Sequence, residues 1–348
     1  MRIAQVAPMF EAVPPKLYGG TERVVSFLTE ELVAMGHDVT LFATGDSVTA
    51  ARLAATRSEA LRLDPSVRDW VALYYKMVET IFRRAHEFDV VHFHIDYFPL
   101  SLFARQNTPY LTTIHGRLDL PEYGEVYRTF PDAPMVSISN HQRLPLPDLN
   151  WVRTVKHGLP TNLLTPQPGG QDYFAFLGRI SPEKRLDRAI QIAAAAGMKL
   201  KIAAKVDVAD KAYFEQAIKP LLGSPDIEFI GEIDDSQKPA FLSGARALLF
   251  PIDWPEPFGL VMIEAMACGT PVIAFGHGSV PEVIDEGVTG FIVDNVEQAI
   301  AAVGRIGELD RQRIRGVFEK RWTARRMATD YVELYQELMV KTRVRELA

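Results

Sequence analysis

The sequence predicts an α/β protein made of two doubly wound, Rossmann-like domains facing across a cleft. Three observations predict it. Short apolar runs alternate with amphipathic helical periods along the chain, the pattern of parallel sheets with right-handed crossovers. That pattern breaks once, in the aperiodic Pro- and Gly-rich stretch GLPTNLLTPQPGGQD, and then restarts. The 348 residues, at a prior of roughly 150 per domain, allow two cores. The boundaries read as a first domain over 1–158, a linker over 159–172, a second domain over 173–322 and a C-terminal helix over 323–348, long enough to strap back across the first domain.

Arg2–Ala7 is an apolar run and reads as a buried strand. A Pro/Gly-rich loop follows, and TERVVSFLTEELVAMG then carries apolar residues at helical spacing up to Gly36. Asp38–Ala43 is the next strand, which completes a strand–loop–helix–strand unit. Helical stretches are expected around 49–62 and 66–87, with strands at Asp89–His94, Pro109–His115, Pro134–Ser139 and Val152–Lys156. In the second half, strands are expected at Tyr173–Gly178, Lys199–Ala204, Ile227–Ile230, Ala247–Pro251, Pro271–Phe275 and Gly290–Val293. Helices fall between them near 183–196, 210–222, 235–244, 258–268 and 295–306.

Composition excludes several classes. Hydrophobic residues make up 47% and charged residues 24%, with a net charge of −6, so no global attraction to nucleic acid or anionic lipid is expected. No run reaches the roughly 18 apolar residues of a membrane span, and the opening MRIAQVAPMF does not read as a signal peptide. The single cysteine, Cys268, sits in an apolar helix. It reads as a core residue in a reducing, cytoplasmic setting. The aromatic and basic stretch Trp70–Arg84 could lie on a membrane surface, but core packing at helical spacing explains it more simply. The basic run Arg311–Arg326 reads as a solvated helix face. No feature commits the chain to an oligomeric state.

The chemistry converges on Phe250–Phe275, FPIDWPEPFGLVMIEAMACGTPVIAF, which reads as strand, loop, helix, turn and strand. Pro255 and Pro257 hold the loop extended. Glu256 stands in that loop, and Glu264 lies two turns inside an otherwise apolar helix, where a carboxylate is costly unless something engages it. The N–H groups of Gly259, Leu260 and Val261 at the helix start form an anion site. Two further loops suit phosphate. Gly19 and Gly20 precede the first helix. In LGRISPEKR, Arg179 ends a strand and Lys184 opens the next helix, a fork and a point charge together suited to a diphosphate. Neither loop contains GxGxxG or a P-loop. The whole set points to a sugar, its phosphates and a ribose.

These motifs, PEPFGLVMIEAMACGTPVIA with LGRISPEKR upstream and YGGTERV near the N-terminus, resemble the retaining nucleotide-sugar glycosyltransferases of family four, which have the two-domain GT-B fold. The resemblance covers the whole chain. It implies that Arg179 and Lys184 hold the donor diphosphate, that Glu264 hydrogen-bonds the ribose hydroxyls and that Glu256 faces the donor sugar. It implies that the backbone of Phe258, Gly259 and Leu260 holds sugar and phosphate. It implies that Gly20 approaches the diphosphate from the first domain and that His115, in TIHG, lies near the transferred sugar. His157-Gly158-Leu159-Pro160 departs from the family's usual Asn-Gly-Val-Asp, which weakens any role for that turn.

What the resemblance implies is metal-independent hexosyl transfer with retention, best matched to UDP-glucose as donor substrate, with no cofactor. Glu256, His115, Arg179 and Lys184 are the catalytic candidates, and cleft closure is expected to exclude water. The partners are the nucleotide sugar and an unidentified acceptor. A nucleotide-sugar isomerase or epimerase on the same fold, or a non-catalytic nucleotide-sugar-binding protein, stays open beside it. Acceptor-side candidates are His94, Asp96, Arg117, Asp119 and Tyr18, with Lys16 beside it. The HFHID run invites a metal reading for His92, His94 and Asp96, which the family's chemistry does not need. Asp234-Asp235 read as a helix cap, and GEIDD after Ile230 is expected to meet the base through its backbone.

Overall fold

The computed structural model describes residues 1–16 and 19–347 of the chain, with side chains as far as residue 342. The chain divides into two compact units, Met1–Gly158 with Ala324–Ala348, and Leu159–Thr323.

The first unit holds a sheet of β1 (Arg2–Val6), β2 (Asp38–Thr44), β3 (Arg52–Arg57), β4 (Val90–Phe93), β5 (Tyr110–Thr113), β6 (Met135–Ser137) and β7 (Trp151–Thr154). Its order is β3-β2-β1-β4-β5-β6-β7, and the pairings are parallel. The second unit holds β8 (Tyr173–Arg179), β9 (Lys199–Lys205), β10 (Ile227–Gly231), β11 (Ala245–Phe250), β12 (Val272–Phe275) and β13 (Gly290–Val293). Its order is β10-β9-β8-β11-β12-β13, again parallel. Each order reverses once, between β1 and β4 and between β8 and β11. Open α/β sheets bind ligands at such a reversal, beyond the carboxyl ends of the strands.

The inner strands are largely buried on both faces because helices cover both, while the edge strands β3, β7 and β10 stay partly exposed. The core of the second unit gathers Phe174, Leu200, Leu249, Ile273 and Phe291 with Leu186 and Ile190 of the helix Leu186–Ala195. In the first unit, Val6, Val91 and Phe93 pack on Tyr74, Met77, Val78 and Ile81 of the helix Trp70–Arg83. Those core contacts account for the apolar spacing of that helix, while Trp70, Val71 and Tyr75 on its other side are exposed.

Three expectations are corrected. Residues 52–57 form the edge strand β3 rather than part of a helix over 49–62. Pairing with β2 from Thr40 to Thr44 outweighs the helical preference of RLAATR. The helix expected over 210–222 is broken into three short pieces, Lys211–Tyr213, Phe214–Ile218 and Lys219–Gly223, and Pro220 stands at the second break. The basic run Arg311–Arg326 is a solvated face only in part: Arg313, Lys320 and Arg325 are exposed, but three arginines reach inward. Arg311 donates to the carbonyls of Ala245 and Ser243, Arg315 to those of Thr161, Leu164 and Ala267, and Arg326 to those of Lys156 and His157. These guanidiniums satisfy carbonyls that loops and helix ends leave without partners. The segment after Gly158 packs within the second unit, where Gln167 N donates to Ser243 Oγ and Gln171 N to Gly244 O.

Candidate active site

At the reversal of the second sheet, β8 delivers Arg179 at its last residue and β11 leads through Pro251 into the loop that carries Glu256. Lys184 follows in a short turn, and its Nζ pairs with Glu256 Oε2. The pair is largely shielded from solvent, with side-chain exposures of 18% and 11%. The ammonium also lies 5.1 Å from the centroid of the Trp254 ring and 5.7 Å from that of Phe250, and such aromatic faces favour a cation. Trp254 Nε1 donates to the same Glu256 oxygen at 3.0 Å. Arg179 is gripped by Glu183 at 2.7 Å and Asp210 at 3.2 Å, while its buried Nε has no hydrogen-bond partner among the described residues.

The Glu256 loop is fixed through its backbone. Ser279 N donates to Glu256 O at 2.9 Å and Ser279 Oγ to Phe258 O at 2.7 Å. Gly278 (φ 62°) lies so close to Glu256 that a Cβ there would strike its backbone. Gly259 (φ 76°) opens the helix Leu260–Ala267 in the left-handed region, a conformation that costs little only for glycine. Met262 N donates to Gly259 O, and the N–H groups ahead of it, of Leu260 and Val261, face away from the helix as a helix start requires. Inside that helix Glu264 is 3% exposed. Its Oε1 takes a hydrogen bond of 3.0 Å from Lys238 Nζ, which Asp235 also holds at 3.0 Å. Asp234 caps its turn, accepting from Ser236 and Gln237.

At the reversal of the first sheet the chemistry is different. Here β4 and β5 carry a chain of neutral side chains. His94 Nδ1 lies 2.8 Å from His115 Nε2, and His94 Nε2 lies 2.9 Å from Gln5 Oε1. His92 Nδ1 meets the Tyr335 hydroxyl at 2.8 Å, and its Nε2 meets Thr113 Oγ1 at 2.7 Å. The His157 ring stacks on His115 at 5.2 Å. Burial presses the His115 imidazole down to about 3 and holds His92, His94 and His157 well below the usual histidine range. All four are therefore uncharged at neutral pH. Beside them Asp96 takes a left-handed conformation (φ 52°), and burial raises its carboxyl to about 6. Among the described residues no three His, Cys, Asp or Glu side chains are grouped to hold a metal ion. His92 and His94 instead spend their ring nitrogens on Thr113, Tyr335, Gln5 and His115.

Two family descriptions match this chain. "Glycosyl transferases group 1" covers residues 165–320 and "Glycosyltransferase Family 4" covers residues 18–152. The chain belongs to the family-four glycosyltransferases. The fold of this glycosyltransferase is the GT-B fold. It matches the sucrose-phosphate synthase of Thermosynechococcus elongatus with a TM-score of 0.80 at 20% identity, covering 98% of this chain and 99% of that one. It matches Anabaena HepE, solved with UDP and glucose, with a TM-score of 0.74 at 17% identity over 97% and 99% of the two chains. Among curated sequences, the D-inositol 3-phosphate glycosyltransferase of Mycolicibacterium smegmatis is 33% identical over 141 residues, 39% of this chain and 30% of that one. An uncharacterized 41.2 kDa protein in the cps region of Klebsiella pneumoniae is 43% identical over 74 residues, 21% and 20% of the two. These alignments thus span less than a third of either relative's length.

In this glycosyltransferase the remaining candidates are scattered. Gly20 begins the helix Gly20–Ala34. A Cβ on Gly19 would come within 2.8 Å of the Pro15 ring, so close packing requires glycine there. Arg117 and Asp119 form an ion pair with each other at 2.6 Å on the surface, Lys16 is exposed, and Tyr18 lies outside the described residues. Several partners escape the sequence reading. Lys238 offered no signal beyond a lone lysine, and Gln5 sits unremarked in a buried strand. Trp254, between an aspartate and two prolines, could have been found as an aromatic in a loop that must shield charge. No helix among the described residues is long and apolar enough to cross a membrane.

Proposed function

We propose that this glycosyltransferase transfers glucose from UDP-glucose to an acceptor hydroxyl, with the anomeric configuration retained and no metal ion required. The observation that carries the reading is the shielded Lys184–Glu256 pair at the β8/β11 reversal, with Arg179 on one side and the start of the helix Leu260–Ala267 on the other. A diphosphate in this place meets two side-chain cations and a helix N-terminus, which supply the positive charge a metal would otherwise bring. Glu264 offers a carboxylate to the ribose diol, one oxygen of which Lys238 already holds. HepE, on the same fold, has been solved with UDP-glucose and with UDP, which supports a uridine donor here.

In the reaction, the bond between the anomeric carbon and the β-phosphate oxygen breaks, and the acceptor oxygen bonds to that carbon on the same face. The acceptor proton passes to the departing phosphate oxygen. Arg179, Lys184 and the helix start stabilise the charge growing on the diphosphate, and Glu256 positions the sugar without bonding to it covalently. For His115, whose ring is neutral, the family resemblance implies a role near the transferred sugar, and His94 and Asp96 are candidates for contact with the acceptor. A single, buried thiol supports a reducing, cytoplasmic setting.

A thermal-shift panel of UDP, GDP and ADP sugars tests the donor. UDP-glucose at about 100 times its Kd stabilises the fold by about 2.7 kcal/mol, and a larger shift from GDP or ADP sugars overturns the base assignment. Proton NMR of the product on a simple acceptor reads the anomeric configuration, and an inverted product overturns retention. Turnover that is lost in EDTA and restored by a divalent cation overturns metal independence.

A further inference from the structure

The buried polar chain of the first unit has a direction, set by the way the Gln5 amide is turned. Gln5 lies in β1 beside His92 of β4, since the register pairs the two residues. The Gln5 amide nitrogen, Nε2, lies 2.9 Å from the Tyr335 hydroxyl and 3.5 Å from His92 Nδ1. Its oxygen therefore faces His94 Nε2, at 2.9 Å. A carbonyl oxygen only accepts, so His94 carries its proton on Nε2 and presents a lone pair at Nδ1. His115 Nε2, 2.8 Å from that lone pair, must donate to it. The His115 proton thus sits on Nε2, and Nδ1 is left as a bare acceptor, buried and with no partner among the described residues. The other branch agrees. Tyr335 accepts from Gln5 and donates to His92 Nδ1, so His92 donates from Nε2 to Thr113, which bonds Tyr331 at 2.9 Å.

We propose that Gln5 and Tyr335 are positioning residues that lock His115 in the Nε2–H tautomer, so that its Nδ1 accepts a hydrogen bond from a hydroxyl of the bound sugar. Tyr335, on the C-terminal helix Ala324–Leu347, accepts from the Gln5 amide nitrogen, and the Gln5 oxygen carries the direction through His94 to His115. Each link is buried: Gln5 and Tyr335 are fully buried, and His94 is 3% exposed. Water does not compete for these bonds, and reversing one reverses the rest. A lone pair at Nδ1 selects a ligand that presents an O–H there and disfavours one that presents only an acceptor. The inference rests on the reading above that His115 acts near the transferred sugar, but the lock itself concerns the free protein.

The test uses the full chain labelled with ¹⁵N at histidine, with the His115 ring assigned through His115→Gln. Two-bond proton–nitrogen correlations report which ring nitrogen carries the proton. Wild-type His115 is expected as the Nε2–H tautomer. Gln5→Met removes the acceptor for His94 and is expected to give a mixture of tautomers, with kcat lowered about tenfold, the value of one hydrogen bond, and the donor KM little moved. Gln5→Glu keeps an oxygen toward His94 and restores the wild-type tautomer. Should Gln5→Met fail to fold, Tyr335→Phe carries the same expectation with a smaller admixture. An Nδ1–H wild-type His115, or a tautomer unmoved in both Gln5→Met and Tyr335→Phe, overturns the lock. A tautomer that shifts while turnover stays at the wild-type value overturns the role of His115 at the sugar and leaves the lock standing.

Discussion

The two sheets share one strand order up to the sixth strand, yet their reversals are furnished in opposite ways. The second unit places charge there: Arg179, Lys184, Glu256 and, deeper, Lys238 with Glu264, each charge matched to an opposite one within hydrogen-bonding reach. The first unit places neutral groups there: His92, His94, His115 and His157, kept uncharged by burial. The difference follows from what each side can satisfy. A buried charge needs a partner, and imidazoles buried together shed their protons instead. The comparison teaches that one topology can present an ionic grip or a hydrogen-bonding surface, according to which side chains stand at the strand ends. A diphosphate suits the first kind and a polyol the second.

The largest expected effect breaks the ionic side. Glu256→Gln keeps the shape of the side chain and removes the charge that Lys184 and Trp254 orient. We expect kcat to fall about 100- to 1000-fold, the range seen when one preorganised electrostatic group is lost, with UDP affinity changed little. Lys184→Met acts on the other partner. It is expected to weaken UDP binding about 10- to 100-fold and to cost about 3 kcal/mol in urea unfolding, because Glu256 is left without its cation. Wild-type turnover in Glu256→Gln would remove the ionic grip from the comparison altogether.

A smaller effect sharpens it. Glu264 and Lys238 lie 3.0 Å apart and are both nearly inaccessible. Glu264→Gln is expected to weaken UDP about tenfold, one charge-assisted hydrogen bond. Lys238→Met should destabilise the fold more than Glu264→Gln, since it strands a carboxylate inside an apolar helix. Calorimetric titration with UDP and urea unfolding of both single variants and the double variant read the coupling. Additive losses would show that the two side chains act separately.

Much of this was legible in the chain because it is local. The alternation of apolar runs with helical periods depends on neighbours in sequence, and so does the reading of Phe250–Phe275 as strand, loop, helix, turn and strand with Glu256 and Glu264 placed in it. What was hidden depends on partners brought together by the sheet. Residues 52–57 look helical until β2 lies beside them. His94 and His115 come together because β4 and β5 pair. The meeting of Gln5 with Tyr335 spans nearly the whole chain, and no periodicity announces it. Arg311, Arg315 and Arg326 read as surface charge because the carbonyls they satisfy belong to distant loops.

The neutral side is tested by pH. Each of the four histidines has a folded value below the ordinary 6.5. Below pH 6.5 the unfolded chain therefore takes up protons that the folded chain refuses. The stability each contributes is complete above pH 6.5 and is lost as pH falls, at about 1.4 kcal/mol per pH unit. For His115 the loss continues down to about pH 3. Glu22 works against it. Burial raises its carboxyl from 4.5 to about 7, so its contribution is complete below pH 4.5 and lost by pH 7. Urea unfolding between pH 7.5 and 5.5 is expected to show falling stability on acidification, and Glu22→Gln is expected to steepen the fall by removing the opposing contribution. A flat profile would mean that the imidazoles are not held neutral.

Cys268 gives the smallest effect and guards against reading function into burial alone. It caps the helix that carries Glu264, is 1% exposed, and burial raises its thiol to about 12. A thiol held that high is no nucleophile at neutral pH. It lies in the charged half, but among the charged groups it has only distant influences and no ion pair. If the ionic grip comes from matched pairs rather than from mere proximity to them, Cys268→Ala should leave kcat and donor KM within about twofold while costing about 1 kcal/mol for the lost sulfur contacts. Native protein should resist iodoacetamide and react only when unfolded. A loss of turnover in Cys268→Ala far beyond its loss of stability would mean that packing around Glu264, and not only charge, tunes the second unit.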